Sequence, residues 1–205
     1  MITSCQKEEL TVVETNIDSS FVQDPELSRL MQSVTAHNGS FDDVIDQSDC
    51  FSINFPYEVF FNGEPYNIAS VADLVPIDEL DEIQLMYPLT ITLGNHAEMT
   101  LLNETEFINL KNECAAGTLY NDLIDCVDFV YPIRVALFEP ATSNYQTITL
   151  DSDEETFESI DDFTSETLVS INYPFDIRSE EGIFIAINSN IELKSQIATA
   201  EANCN

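Results

Sequence analysis

Four times along this chain an aromatic residue meets a proline inside a run of alternating apolar residues: INFPYEVFF from Ile53, LMYPLTITL from Leu85, FVYPIRVAL from Phe129 and INYPFDIRS from Ile171. Self-similarity of this kind constrains the fold more than any single motif, because each copy must adopt the same local structure. Ile53, Phe55, Tyr57, Val59 and Phe61 share one face, and Ser52, Asn54, Pro56 and Glu58 the other. In the second copy Ile83, Leu85, Tyr87, Leu89, Ile91 and Leu93 repeat the apolar set. A period of two predicts a strand with one buried face. Pro56, Pro88, Pro132 and Pro174 fall on the outward face and lack an N–H, so each is expected on a sheet edge or beside a bulge.

A turn and a shorter strand follow each copy. Asn62-Gly63 is a two-residue hairpin signal, and Gly94-Asn95 and the segment 179–182 read similarly. The third copy has a longer loop, from Glu139 to Asn144. Second strands are expected near 65–69, 97–102, 145–150 and 182–187. Helices then begin at Ser70, Asn103, Ser152 and Ser189, each three residues before a carboxylate: Asp73, Glu106, Glu155 and Glu192. This is the capping-box arrangement. Phe107 with Leu110, and Phe157 with Ile160, recur at helical spacing, whereas Pro76 shortens or breaks the first helix.

The unit is therefore strand-strand-helix, and the units group in pairs. Asp43-Val44-Ile45-Asp46 leads into Cys50, and Asp122-Leu123-Ile124-Asp125 leads into Cys126. The expected fold is α+β: two tandem, duplicated ββαββα domains, over 48–116 and 122–205. Each is two-layered, an antiparallel sheet with helices on one face. Residues 6–23, rich in Ser, Thr, Asp and Glu, read as a tether. Residues 24–47 read as a helix and linker. Asp24 caps it, Pro25 opens it, Leu27, Leu30, Met31 and Val34 form its apolar stripe, Asn38-Gly39 ends it, and it is expected to pack on the first domain. Besides Cys5, four cysteines allow three pairings. The pairing that staples each domain end to end is Cys50–Cys114 with Cys126–Cys204.

Six Lys or Arg stand against 38 Asp or Glu, a formal net charge of -32. Such a surface repels phosphate backbones, which excludes nucleic-acid binding, and it repels anionic lipid headgroups. It attracts cations and basic partners. No apolar run approaches the length that spans a bilayer.

Ile2-Thr3-Ser4-Cys5 resembles the end of a bacterial lipoprotein signal, so residues 1–5 read as the remnant of a lipobox with Cys5 as the lipidated residue. Gln6-Lys7-Glu8-Glu9 resembles the export run that sends Bacteroidetes lipoproteins to the outer face of the outer membrane. A diacylated cysteine is a two-chain anchor, strong enough for stable attachment. With this start, the Asn38-Gly39 break, the cysteine-led strand and the repeated aromatic-Pro units, the chain resembles a family of surface lipoproteins of Flavobacteria and related Bacteroidetes. The resemblance implies a location and an architecture. It implies no activity.

Catalytic and metal chemistry finds little support. His37 and His96 lie in turn-like contexts without a ligand at helical spacing. No nucleophile elbow, P-loop or dinucleotide fingerprint is present. The cysteines are better explained as staples than as nucleophiles. Asp151, Asp153 and Glu155 cluster oxygen donors that could take calcium, but capping and the helix dipole already account for them. The expectation is thus a non-enzymatic, surface-exposed, lipid-anchored outer-membrane protein with no catalytic residue, metal or cofactor. It would act as a binding, adhesion or envelope-structural module, touch the membrane through its anchor alone, and take a cation, glycan or protein ligand. The runner-up is an accessory subunit that captures glycan or peptide for an outer-membrane uptake system. That role calls for a concave, aromatic-lined pocket between the domains.

Overall fold

The computed structural model describes residues 20–78, 82–164 and 166–204. The protein is α+β. Its first half contains strands β1 (Phe51–Ile53), β2 (Tyr57–Phe61), β3 (Glu64–Ile68), β4 (Ile83–Leu85), β5 (Leu89–Leu93) and β6 (Glu98–Leu101). The second half contains β7 (Val127–Phe129), β8 (Ile133–Glu139), β9 (Asn144–Leu150), β10 (Leu168–Ile171), β11 (Phe175–Ser179) and β12 (Phe184–Ile187). Helices α1 (Pro25–Thr35) and α2 (Asp43–Asp46) precede the strands, α3 (Glu104–Ala115) ends the first half, and α4 (Asp153–Asp162) and α5 (Asn190–Glu201) belong to the second.

Each aromatic-proline run splits into two strands where the sequence suggested one. The proline peptide is cis in all four copies, and the strand stops before it and restarts after it. Proline has no N–H for the ladder and its ring fixes φ, so pairing cannot run straight through it. The expectation of an edge or bulge is corrected to a corner at which the chain changes sheet. In the first half β1 pairs with β5, while β2 pairs with β3 and β4. Each half therefore holds two three-stranded antiparallel sheets, ordered β1-β5-β6 and β3-β2-β4, then β12-β11-β7 and β10-β8-β9. The expected sheet of each half is divided in two, and both sheets draw strands from both units.

The crossing is reciprocal. Asn54 donates its N–H to the Thr90 carbonyl at 2.8 Å, and Met86 donates to Glu58 at 3.2 Å. In the second half Val130 donates to Asp176 at 2.9 Å and Asn172 to Arg134 at 2.8 Å. In every case the donor lies two residues before one proline and the acceptor two residues after the other. The inward faces agree with the period-two reading: Ile53, Tyr57, Val59, Leu89 and Ile91 are buried while Glu58 and Thr90 are exposed. Burying each large apolar side chain contributes about 1.5–3 kcal/mol.

Capping proceeds as expected at three of the four helix starts. Asn103, Ser152 and Ser189 accept the N–H of Glu106, Glu155 and Glu192, and those carboxylates return to the N–H of Leu102, Asp151 and Asn188. The first unit makes only a 3-10 turn, Val71–Leu74, just before Pro76. Cys50 joins Cys114 and Cys126 joins Cys204, with Cα separations of 5.9 and 5.8 Å. Closing loops of this length contributes about 4 kcal/mol in the chain-entropy picture.

The N-terminal region departs from expectation. Helix α1 packs on the second half: Leu27, Leu30, Met31 and Val34 share a core with Ile133, Ile177, Leu193 and Ile197. At its rim Arg29 pairs with Asp122 at 2.9 Å and Lys194 with Asp24 at 3.0 Å. The tether reading fails at its end, because Ser20 and Phe21 are buried. The Ser20 hydroxyl accepts the Val169 N–H at 2.8 Å, and Phe21 meets the edge of Phe163. The helix stops at Thr35, with extended Ala36 behind it, four residues before the Gly39 expected to close it. Gly39 instead lies against β1, where a Cβ would sit 2.7 Å from the Phe51 nitrogen and 2.8 Å from the Asp49 oxygen. Backbone cannot yield as a flexible side chain can, so Gly39→Ala is expected to destabilise the protein by about 1–3 kcal/mol, read from urea unfolding midpoints. Gly63→Ala, with open space around it and a cost from its positive φ alone, is the comparison.

Candidate functional site

A concavity lies at one end of the second half. The β8–β9 hairpin is the longest of the four, with seven residues in each strand. Its turn, Pro140–Ser143, overhangs the segment between α4 and β10. Leu137, Glu139, Pro140 and Ala141 on one side and Asp162, Phe163, Thr164, Glu166 and Thr167 on the other line a cleft of about 610 Å³. Its floor is apolar, from Leu137 and Phe163. Phe163 is braced from behind by Phe21, ring centroids 6.0 Å apart. Among the described residues three carboxylates border it and no lysine or arginine does. On the outer face of the same sheet Leu168, Phe138 and Tyr145 stand in one row across three strands. Tyr145 is 66% exposed. A rim of acids over an apolar floor suits a cationic group carried on an apolar body.

Sequence reasoning did not name these cleft residues. The signal available was the longer loop of the third copy, which lengthens the hairpin and makes the overhang.

The contact between the halves is filled by side chains. His96, in the β5–β6 turn, donates from Nε2 to the Thr35 carbonyl at 2.7 Å. His37 shares a 2.6 Å hydrogen bond with the Ser52 hydroxyl. The two rings, separate in sequence, lie 5.8 Å apart, and His96 continues onto Phe157 at 5.5 Å and Phe157 onto Tyr120 at 5.1 Å. Phe157 and Tyr120 thus pack edge to face at this contact. Burial, and then the neighbouring charge of His96, hold His37 below the usual histidine range, with Glu154 opposing.

The remaining sequence candidates find structural places. Cys5 and the run Gln6, Lys7, Glu8, Glu9 lie outside the described residues. Asp151, Asp153 and Glu155 do not assemble a cation site, since their oxygens are not all within 4.8 Å of one another. The Glu155 carboxylate takes the Asp151 N–H at 2.8 Å, and Asp153 takes the Tyr131 hydroxyl at 2.7 Å. Among the described residues the one such group of three potential metal ligands is Asp49, Cys50 and Cys114, and both sulfurs belong to a disulfide. No described helix is long and apolar enough to cross a membrane. Compared with protein-family models, with curated proteins and with solved structures, the chain matches none.

Because the folded state depresses the His37 pKa, neutral His37 supports the junction above pH 6.5, and that support is lost as pH falls through the folded value. On going from pH 7 to pH 5 the melting temperature of His37→Gln is expected to rise relative to that of the parent protein, whatever the parent's own trend. Calorimetry across that range checks it, and identical pH profiles would remove the histidine from the junction's energetics.

Proposed function

We propose that the protein is a non-enzymatic, surface-exposed binding module, held to the outer membrane by lipid on Cys5, whose second half captures a basic, partly apolar segment of a protein or peptide partner. The observation that carries this reading is the cleft between the β8–β9 turn and the α4–β10 segment, with Glu139, Asp162 and Glu166 around an apolar floor. The support is chemical. A net charge of -32 draws basic partners over a distance, and the cleft gives them somewhere to seat apolar side chains. Two disulfides and two cores give a rigid platform for such a surface. Anchoring by lipid would place that platform where extracellular partners reach it.

The test is calorimetric titration of the protein with a synthetic peptide of alternating lysine and leucine, at low and physiological salt. Glu139→Gln with Glu166→Gln is expected to weaken binding about tenfold or more, since one lost charge-assisted contact of about 1.5 kcal/mol corresponds to a factor of ten. Glu180→Gln with Glu181→Gln, an equal change of charge on the β11–β12 turn, is expected to leave affinity within about twofold. Equal weakening by both pairs would mean that the acidic surface binds without a site.

A further inference from the structure

Three buried side-chain oxygens in the first half have no hydrogen-bond partner among the described residues: Asp42 Oδ1, Asp46 Oδ2 and the Tyr57 hydroxyl. Asp42 closes the 3-10 turn Ser40–Asp42 and Asp46 ends α2, so the two lie four residues apart on one face. Both are fully buried, and Tyr57 is 6% exposed. One oxygen of each carboxyl is already committed. Asp42 Oδ2 accepts the Ile53 N–H at 2.8 Å, and Asp46 Oδ1 accepts the Ser48 N–H at 3.0 Å. The second oxygens are left facing an interior whose free polar partner is one phenol.

The repeat shows that this cluster is peculiar to the first unit. In the other three copies the proline follows tyrosine and precedes an apolar residue: Leu89, Ile133 or Phe175. There the tyrosine hydroxyls of the second half are answered by the first residue of the next helix, Tyr131 by Asp153 and Tyr173 by Asn190, each at 2.7 Å. In the first copy the order is reversed. Phe55 precedes the proline, Tyr57 follows it, and the hydroxyl is carried inward to meet the Ser40–Ser48 segment.

Charge around the cluster is predominantly negative. Asp43 on the same turn acts on both aspartates, and Asp49 acts on Asp43. Lys111 on α3 is the single cation that acts on Asp46, and the weakest influence there. Asp73 on the neighbouring 3-10 turn is engaged by the Ala69 N–H and the Ser70 hydroxyl. Strand β1 carries no ionisable residue, and Glu58 of β2 faces outward. Two ionised carboxylates in such a place have no counter-ion beyond the weak influence of Lys111 and no donor for their free oxygens. A proton supplies both needs, because a carboxylic acid is neutral and its O–H donates.

We propose that Asp42, Asp46 and Tyr57 form a buried proton-binding site that holds the Ser40–Ser48 segment on the first half when protonated and releases it as pH rises. Burial first, opposed by the Ile53 N–H, raises Asp42 to about 7. Burial and then the charge of Asp42 raise Asp46 to about 9. Burial also raises the Tyr57 hydroxyl, so it remains a donor throughout. Both folded values lie above the ordinary aspartate value of 3.8, so the folded protein holds protons that the unfolded chain gives up. The contribution of this pair is complete below about pH 4 and falls with rising pH. By linkage the unfolding constant rises with pH wherever the folded protein holds protons that the unfolded chain has lost, more steeply while two are held than while one is.

The test compares the parent with Asp42→Asn/Asp46→Asn in urea unfolding from pH 4.5 to 9. Asparagine keeps an acceptor for the Ile53 and Ser48 N–H groups and carries no charge. The expected result is similar stability at pH 4.5 and a variant that outlasts the parent increasingly toward pH 9. Parallel curves would overturn the proposal. Should the double variant fail to fold, carbon-detected NMR titration of the parent reads the carboxyls directly. Signals of Asp42 and Asp46 that move between pH 6 and 9 uphold the site, and movement only below pH 5 overturns it. Calcium is the third arm: a rise in the parent's melting temperature at pH 8 that disappears in Asp46→Asn would assign the site to a cation and overturn the proton.

Discussion

Each half of this protein depends on two aromatic-proline segments that cross. The reciprocal bonds from Asn54 to Thr90 and from Met86 to Glu58 hold the first crossing, and those between Val130 and Asp176 and between Asn172 and Arg134 hold the second. Because each segment enters one sheet and leaves in the other, a single unit owns no complete sheet. Its β1-type strand needs the neighbour's β5-type strand, and its β2-type strand needs the neighbour's β4-type strand. The pair of units is therefore the smallest piece that can bury its apolar faces. The disulfides join the start of one unit to the end of the next and so close the pair that the crossing defines.

Much of this was legible in the residues. Alternation of Ile53, Tyr57 and Val59 marked the inward face, Ser152 with Glu155 marked a helix start, and the repeat placed Cys50 and Cys114 at the two ends of one pair. The change of sheet was not legible, because alternation continues in phase across Pro56 and a periodic pattern cannot show which partner each part takes. Nor was the docking of α1. Leu27, Leu30 and Met31 announce a buried stripe without naming the half that covers it, and adjacency in sequence favoured the wrong one. The residues that cover the stripe, Ile133, Ile177, Leu193 and Ile197 among them, lie far along the chain.

The features on which the proposals rest were hidden for a related reason. Among 38 acidic residues nothing in the sequence separates the buried Asp42 and Asp46 from the exposed majority. Tyr57 held the one clue, since it reverses the aromatic order kept by the other copies. His37 and His96 looked isolated because their meeting depends on how two halves and α1 come together. The cleft beside Glu139 and Glu166 arises from a hairpin only a few residues longer than its counterparts, which the sequence displays as loop length and the structure turns into an overhang.

The proposed acidic cleft for basic partners is of use only where such partners arrive. Protease shaving of intact cells that express the full-length precursor, with lysed cells as control, therefore tests the account most directly. Digestion in intact cells, abolished as a surface signal when Cys5 is replaced by serine, is the result the account predicts. Protection in intact cells with digestion after lysis would contradict it and would place the cleft inside the envelope.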